Sequence, residues 1–319
     1  MAYSVRTVSA ACDALPRRVQ QCLLALCHHR ASNHYRIIAM SSPALHDNDQ
    51  ATYWNDEGGA RWVRHIDSLE AMLDPFSTHL LERVAAQPGE RVLDIGCGGG
   101  VTSAALAQAV GVQGHVTGLD VSKVILEVAR QRYPDRGNLE FLLADASVHS
   151  FHAARYDVLT SRFGVMFFHD PQRAFSNLRR SLRDDARLVC MCWRGLDENP
   201  WMGIAAAAFT VLPPPPAPAA GTPGPFSFAK RERVEEILTT AGFGNVTFEA
   251  VDSPVALGSV ENALEWLSAM GPAAQSLREA KEEDRAAAVQ AIREALAAKA
   301  SDERVVLNGA TWVVSARIN

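Results

Sequence analysis

A short apolar segment that runs directly into a cluster of glycines restricts the fold of this chain more than any other feature. Residues 92–100 read VLDIGCGGG, which has the character of a buried strand followed by a tight turn. Glycine accepts positive φ and lets the backbone approach a ligand without a Cβ in the way. The same turn also occurs in ordinary βα loops that bind no ligand. Only the surrounding residues can therefore indicate which ligand binds here.

The spacing of the glycines disfavours a nicotinamide dinucleotide. The dinucleotide fingerprint G-x-G-x-x-G, started at Gly96, requires Gly or Ala at the position of Val101. Started at Gly98, it requires glycine where Ser103 stands. A nicotinamide-dependent oxidoreductase is therefore the weaker reading of the turn.

β-rich and helical segments alternate around this turn, and strands that alternate with helices of this length predict right-handed βαβ crossovers and a parallel sheet. Two more strands are predicted near the end of the chain. We therefore expect an α/β fold with a doubly wound, seven-stranded, mostly parallel sheet. The predicted strands are 91–97, 115–121, 139–144, 156–161, 187–193, 245–251 and 309–316, and the helices between the first five are 102–110, 123–133 and 171–183.

The rest of the chain is predicted to surround this sheet. Residues 1–39 resemble an organellar transit peptide in composition or precede a true start at Met40, and they stay outside the fold argument. Residues 40–87 predict two helices that cover the site, the second opening at Pro75. The remainder, 88–319, forms the main domain. Its additions are a helical stretch at 200–212, a Pro-rich loop at 213–225, a helix at 228–241 and a helical insertion at 259–300, with helices at 261–270 and 274–300.

Three acidic residues are predicted to meet at one edge of the sheet. Asp94 lies within the first strand, where a buried carboxylate has to accept hydrogen bonds. Asp120 ends the second strand, at a spacing from Asp94 close to that of the acid that binds a ribose diol in doubly wound folds, and Asp145 follows the third strand. Each alone could be a helix cap or loop acid. Together they favour a nucleoside-like ligand.

With these motifs, the chain resembles the class I S-adenosylmethionine-dependent methyltransferases over residues 45–250, in particular the ubiquinone/menaquinone-biosynthesis-like small-molecule branch. The resemblance implies S-adenosylmethionine as cofactor. It assigns Gly96 and Gly98 to the methionine part, Asp120 to the two ribose hydroxyls, and Asp145 with Ala146 to the adenine edge, and Val121 is expected to contact the cofactor as well.

The stretch after the fourth strand follows the family pattern only in part. Ser161 and Arg162 match it and are expected to contact the cofactor, but Met166 and Phe167 stand where the family often has two histidines. The nearest remaining candidate base is His169. An exposed position in a helix-initiating turn explains His169 at least as well.

An N-terminal aromatic pair is a further candidate for contact with the cofactor. The family resemblance suggests that Tyr53, next to Trp54, covers the cofactor or substrate, and cation–π attraction to a sulfonium gives a physical reason. Packing of the first helix explains the same two residues equally well.

Composition narrows the range of substrates and partners that this chain is expected to bind. The formal net charge of −5 provides no global basic field for nucleic acid, so a small-molecule substrate is expected. The helices and loops added to the sheet suggest that this substrate is hydrophobic or aromatic.

The six cysteines lack the paired spacing of a structural zinc site, so we predict no metal and a cytoplasmic location. No membrane span is predicted, and a homodimer is compatible with the sequence. A non-catalytic S-adenosylmethionine-binding regulator remains the alternative from another class.

Overall fold

The computed structural model describes residues 49–216, 219, 221–270 and 273–318, so the predictions for residues 1–39 and for Met40 lie outside the described residues. Within them, three helices precede the sheet: α1 (Asp49–Asn55), α2 (Glu57–Arg64) and α3 (Ile66–Val84). The prediction of two helices divided at Pro75 was wrong, because Pro75 lies inside α3. Leu73 and Phe76, on either side of it, are both buried, and this packing outweighs the lost backbone hydrogen bond.

The alternating region follows the predicted order closely. Its apolar strands and their flanking turns are set by local periodicity, so their ends shift by only a few residues. The elements are β1 (Arg91–Ile95), α4 (Val101–Val110), β2 (His115–Asp120), α5 (Lys123–Arg132), β3 (Leu139–Leu143), β4 (Tyr156–Arg162), a 3-10 turn (Gly164–Phe167), α6 (Pro171–Arg179) and β5 (Leu182–Trp193).

The remaining elements are shorter helices and longer strands than the sequence predicts. Two predicted helices are broken: the stretch at 200–212 is a short helix followed by a 3-10 turn, and the stretch at 274–300 is two helices. The elements are a 3-10 turn (Leu196–Glu198), α7 (Pro200–Gly203), a 3-10 turn (Ile204–Thr210), α8 (Arg231–Thr240), β6 (Phe243–Ser259), α9 (Val260–Met270), α10 (Ala274–Glu279), α11 (Glu282–Ala297), β7 (Ala300–Ser301) and β8 (Arg304–Ile318).

The sheet has the order β3-β2-β1-β4-β5-β8-β6, with the two-residue β7 paired to β8. The first five strands are parallel, and β8 runs antiparallel to both of its neighbours. The doubly wound, mostly parallel α/β fold is therefore confirmed, with seven strands on the main path. Because β2 and β4 flank β1, the carboxyl ends of these three strands lie side by side.

The last two long strands form one antiparallel hairpin that carries the helical insertion. Strand β6 continues through Pro254, and it alternates buried Val251, Ser253 and Val255 with exposed residues. Among the strands that the structure describes, β6 pairs only with β8, so it is an edge strand, where a proline without an N–H is tolerated. Pro254 therefore does not end the strand.

A buried asparagine joins the end of β5 to β8. The Asn199 side chain donates to the carbonyls of Gly195 and Ala310 at 3.0 and 3.1 Å, and its Oδ1 accepts from the Ala310 N–H at 2.9 Å. Trp201 Nε1 donates to the same oxygen at 3.2 Å. One side chain therefore satisfies several backbone groups where the chain leaves the sheet.

We expect Asn199→Ala to lower the free energy of unfolding by about 3 kcal/mol, because buried donors and acceptors lose their partners. Urea denaturation measures the change. Asn262→Ala, at an exposed position of α9, is the matched control and should change stability by less than about 0.5 kcal/mol. Equal effects of the two substitutions would contradict the structural role of Asn199.

Candidate functional site

The glycine turn lies at the carboxyl end of β1, between the ends of β2 and β4. Gly96 has φ +65°, and a Cβ there would lie 2.7 Å from the Cα of Gly164, so the two backbones exclude any side chain. Gly98 has φ +55°, and a Cβ there would meet no atom within 4 Å. Only the backbone conformation restricts Gly98, and the space beside it is open to a ligand.

Asp120 holds this turn through its carboxylate. Its Oδ2 accepts the N–H of Gly98 at 2.9 Å, and its Oδ1 accepts the N–H of Ser122 at 2.9 Å. Burial raises the pKa of Asp120, and these backbone hydrogen bonds oppose the rise. A carboxylate can accept about four hydrogen bonds, so both oxygens keep capacity for a ligand hydroxyl.

Asp94 is a second buried carboxyl group beside the turn. Its Oδ2 accepts from Thr102 Oγ1 at 2.8 Å and from Ser103 Oγ at 2.6 Å, both at the start of α4. Its Oδ1 is buried without a protein partner. Burial raises the pKa of Asp94 to about 6, and the nearby charge of Asp120 adds to the effect. Two crowded carboxyl groups make this edge favourable for a cationic ligand.

The loop after β3 carries the predicted adenine-edge residues. Asp145 is exposed, and its Oδ1 accepts from the N–H and the hydroxyl of Ser147 at 2.8 and 2.6 Å. Ala146 is buried, and its carbonyl accepts from Asn177 Nδ2 at 2.9 Å. The loop is thus fixed in position next to the end of β2.

Ser161 and Arg162, at the end of β4, lie at the same edge, but protein groups engage their polar atoms. Ser161 Oγ donates to the Ile95 carbonyl at 2.7 Å, which ties the end of β4 to the end of β1. Arg162 donates to Ser77 Oγ and to Glu70 Oε2, each at 2.6 Å. Their cofactor contact stays a prediction. Glu70 and Ser77 were missed because α3 is remote in sequence and gives no local signal.

An aromatic cluster joins the N-terminal helices to the site. The Trp54 ring contacts the rings of Tyr53, Trp62 and Phe167 edge to face, with centroids 5.2, 5.7 and 5.3 Å apart. Phe167 lies on the 3-10 turn that follows β4. The predicted cover over the site therefore has direct contacts to it, alongside its role in helix packing.

His169 and Val121 have different positions relative to this edge. His169 is exposed, in the turn before α6, where Asp170 caps the helix by accepting the Arg173 N–H at 2.9 Å. His169 therefore occupies the exposed, helix-initiating turn that the sequence predicts as one of its two explanations. The backbone carbonyl of Val121 accepts from Asn55 Nδ2 at 2.8 Å. Asn55 carries no motif and was not identified from the sequence.

Two observations concern metal ligands and membrane spans among the residues that the structure describes. Among those residues, no group of three or more His, Cys, Asp or Glu could hold a metal ion, and no helix is long and apolar enough to cross a bilayer. Cys190 and Cys192 are buried in β5, and burial raises the pKa of the Cys192 thiol. These cysteines pack the core.

Comparison with known proteins identifies the domain that contains this site. Residues 92–185 match the family model of a methyltransferase domain. This confirms the predicted recognition of a methyltransferase in this part of the chain. The match includes the glycine turn, Asp120, Asp145 and the end of β4.

Two curated relatives match part of this chain. An O-methyltransferase of Pyrenophora dematioidea is 32% identical over 139 residues, which are 43% of this chain and 49% of that protein. A demethylmenaquinone methyltransferase of Staphylococcus epidermidis is 33% identical over 113 residues, which are 35% of this chain and 47% of that protein. The chain thus spans about half the length of these relatives.

The fold is also found among solved structures. Phosphoethanolamine N-methyltransferase 2 of Haemonchus contortus, solved in complex with S-adenosyl-L-methionine, is similar with a TM-score of 0.51 at 16% sequence identity. The similarity covers 87% of this chain and 60% of that one. It shows a shared fold.

The raised pKa of Asp94 predicts a pH-dependent stability. The folded chain holds the Asp94 proton more tightly than the unfolded chain, so this contribution is present below about pH 4 and is lost as the pH rises through about 6. The free energy of unfolding of the natural chain, minus that of Asp94→Asn, should fall by about 2 kcal/mol between about pH 4 and about pH 7.

Urea denaturation of both proteins across this range measures the difference. The matched substitution Asp184→Asn, at an exposed position of β5, should leave the corresponding difference nearly constant. A constant difference for Asp94→Asn as well would show that burial does not raise this pKa.

Proposed function

We propose that this chain transfers a methyl group from S-adenosylmethionine to a small hydrophobic or aromatic metabolite. The observation that carries the proposal is the pairing of two buried carboxyl groups, Asp94 and Asp120, with the open space beside Gly98. An acidic, partly desolvated edge favours a cation, and an accessible backbone suits a nucleoside that lies against it. S-adenosylmethionine combines a sulfonium cation with a nucleoside.

Each part of the cofactor has residues suited to it. The free lone pairs of Asp120 suit the two ribose hydroxyls, and the open space beside Gly98, in the same turn as Gly96, suits the methionine part. The unpartnered Oδ1 of Asp94 offers an acceptor on the same side. We keep the following contacts as proposals: Tyr53, Val121, Asp145, Ala146, Ser161 and Arg162.

The residues of this chain would act mainly by alignment. When bound, S-adenosylmethionine supplies a methyl group that is already activated by the sulfonium. The protein then has to hold the acceptor in line and exclude water. A strong base is not required for an acceptor that is already nucleophilic. His169 is exposed, and it remains only a candidate for a weakly placed base.

Aromatic side chains near the site support an apolar or aromatic acceptor. Beyond the cluster around Trp54, the rings of Phe163 and Trp193, at the ends of β4 and β5, stack with centroids 4.1 Å apart. Trp193 contacts Trp201, which contacts Trp266 in the helical insertion. A series of rings therefore extends from the strand ends to the helical insertion.

The Pro-rich loop also reaches this edge. The N–H of Gly224 and the hydroxyl of Ser227 donate to the carbonyl of Met166 at 3.0 and 2.6 Å, on the turn after β4. A loop fixed here can border an acceptor. The names of the relatives, O-methyltransferase and demethylmenaquinone methyltransferase, support a small molecule in this place. A cytoplasmic location and a partner set without nucleic acid are further parts of the proposal.

The function is tested with a panel of small phenols, quinols, amines and thiols, with release of S-adenosylhomocysteine as the readout. Turnover restricted to apolar or aromatic acceptors supports the proposal. Tight binding of S-adenosylhomocysteine without release from any acceptor class would favour the binding regulator. In a calorimetric titration, binding of NADH without binding of S-adenosylhomocysteine would overturn the methyltransferase assignment.

For the cofactor, we expect Asp120→Ala to raise the dissociation constant of S-adenosylhomocysteine about 10- to 100-fold. The substitution removes a charged acceptor for the ribose and releases the Gly98 N–H that shapes the turn. Isothermal titration calorimetry measures the change. Asp184→Ala removes a carboxylate at the opposite end of the sheet and should leave the affinity unchanged. An unaltered affinity in Asp120→Ala would remove Asp120 from the cofactor site.

A further inference from the structure

We propose that Asn55 is a positioning residue that latches the N-terminal helices across the cofactor site and thereby controls cofactor exchange. Asn55 ends α1, and its side chain reaches residues 121 and 123, directly after Asp120. The inference rests on the proposed function, because it concerns the same site. It adds a residue outside the matched domain and a step, opening of the latch, to that function.

The Asn55 amide pairs with backbone groups in the way a neighbouring strand would. Its Nδ2 donates to the Val121 carbonyl at 2.8 Å, and its Oδ1 accepts from the Lys123 N–H at 2.8 Å. The same Nδ2 donates to the Ala51 carbonyl within α1 at 2.7 Å. A carbonyl on one side and an N–H on the other fix the orientation of the amide. The Asn55 side chain therefore satisfies backbone groups of residues 121 and 123 in the turn after β2.

A second contact connects the latch to Asp120, the proposed ribose-binding residue. Ser122 Oγ donates to the Trp54 carbonyl at 2.5 Å, and the Ser122 N–H donates to Asp120 Oδ1 at 2.9 Å. Asp120 in turn holds the Gly98 N–H. A continuous set of hydrogen bonds therefore runs from the end of α1 to the glycine turn.

Close packing supports the same junction. A Cβ on Gly59 of α2 would overlap the Trp54 carbonyl and would lie 2.8 Å from a methyl group of Val124 in α5. Only glycine lets α2 approach α5 this closely. The junction of α1 and α2 is therefore fitted to the start of α5.

Sheet order shows what the latch covers. Asn55 is bound to the turn after β2, while the Trp54 ring contacts Phe167 on the turn after β4. Strand β1 lies between β2 and β4. Residues 54 and 55 therefore bridge the carboxyl end of β1, where the glycine turn would bind the cofactor. Entry and release of a cofactor at this turn require the bridge to open.

A latch that is closed both with and without cofactor has a specific kinetic signature. Loss of the two hydrogen bonds in Asn55→Ala should raise both the association and the dissociation rate of S-adenosylhomocysteine, the latter about ten-fold. The dissociation constant should change by less than the dissociation rate. Loss of a simple ligand contact would raise the dissociation rate alone. Stopped-flow measurements on the full chain separate these cases.

Hydrogen exchange of the ligand-free chain gives an independent readout. In Asn55→Ala, amides of residues 49–64 should exchange faster while the urea midpoint stays unchanged, because the Asn55 side chain is exposed. Asp56→Ala is the matched control: the neighbouring side chain is exposed and makes no capping hydrogen bond, so rates and exchange should stay at their natural values.

The possible outcomes distinguish a failure of the proposed latch from a failure of the proposed function. Unchanged release rates and unchanged exchange in Asn55→Ala, in a chain that binds S-adenosylhomocysteine, would overturn the latch alone. A raised dissociation rate without a raised association rate would make Asn55 a ligand contact and overturn the latch as well. No binding of S-adenosylhomocysteine by the natural chain would overturn the proposed function.

Discussion

The carboxylate of Asp120 is the interaction on which the rest of the site depends. It accepts one N–H from the glycine turn after β1 and one from the turn after β2, so it fixes two strand ends relative to each other. The parallel sheet brings these ends to one edge, and Asp94 adds a second buried carboxyl group there. The N-terminal helices reach the same edge through the residues that directly follow Asp120.

The alternating region could be predicted because its information is local. Each strand from β1 to β5 is a short apolar segment bounded by turn residues, and Asp120 and Asp145 stand at or just after strand ends. Pro75 was misleading, because buried neighbours retain it within a helix. The predicted strand 245–251 was too short, because the sheet edge carries β6 past Pro254.

Contacts between remote segments could not be predicted from one sequence. Asn55 and Glu70 are ordinary polar residues on helices, and nothing near them in sequence indicates the turn after β2 or the guanidinium of Arg162. The aromatic pair at 53 and 54 was predicted as a cover, but its contact to Phe167 needed the fold. The positions of the acidic residues on the strands follow from the local sequence, whereas the positions of the helices depend on packing against the rest of the fold.

The hairpin of β6 and β8 makes the helical insertion an exchangeable module. Ser259, where the chain leaves the sheet, is paired with Arg304, close to where it returns, so the ends of the intervening segment are neighbours in space. A short turn or a different helical segment can close this gap at a modest cost in loop entropy. The helical insertion can therefore diverge among related proteins while the sheet edge that holds Asp94 and Asp120 stays the same.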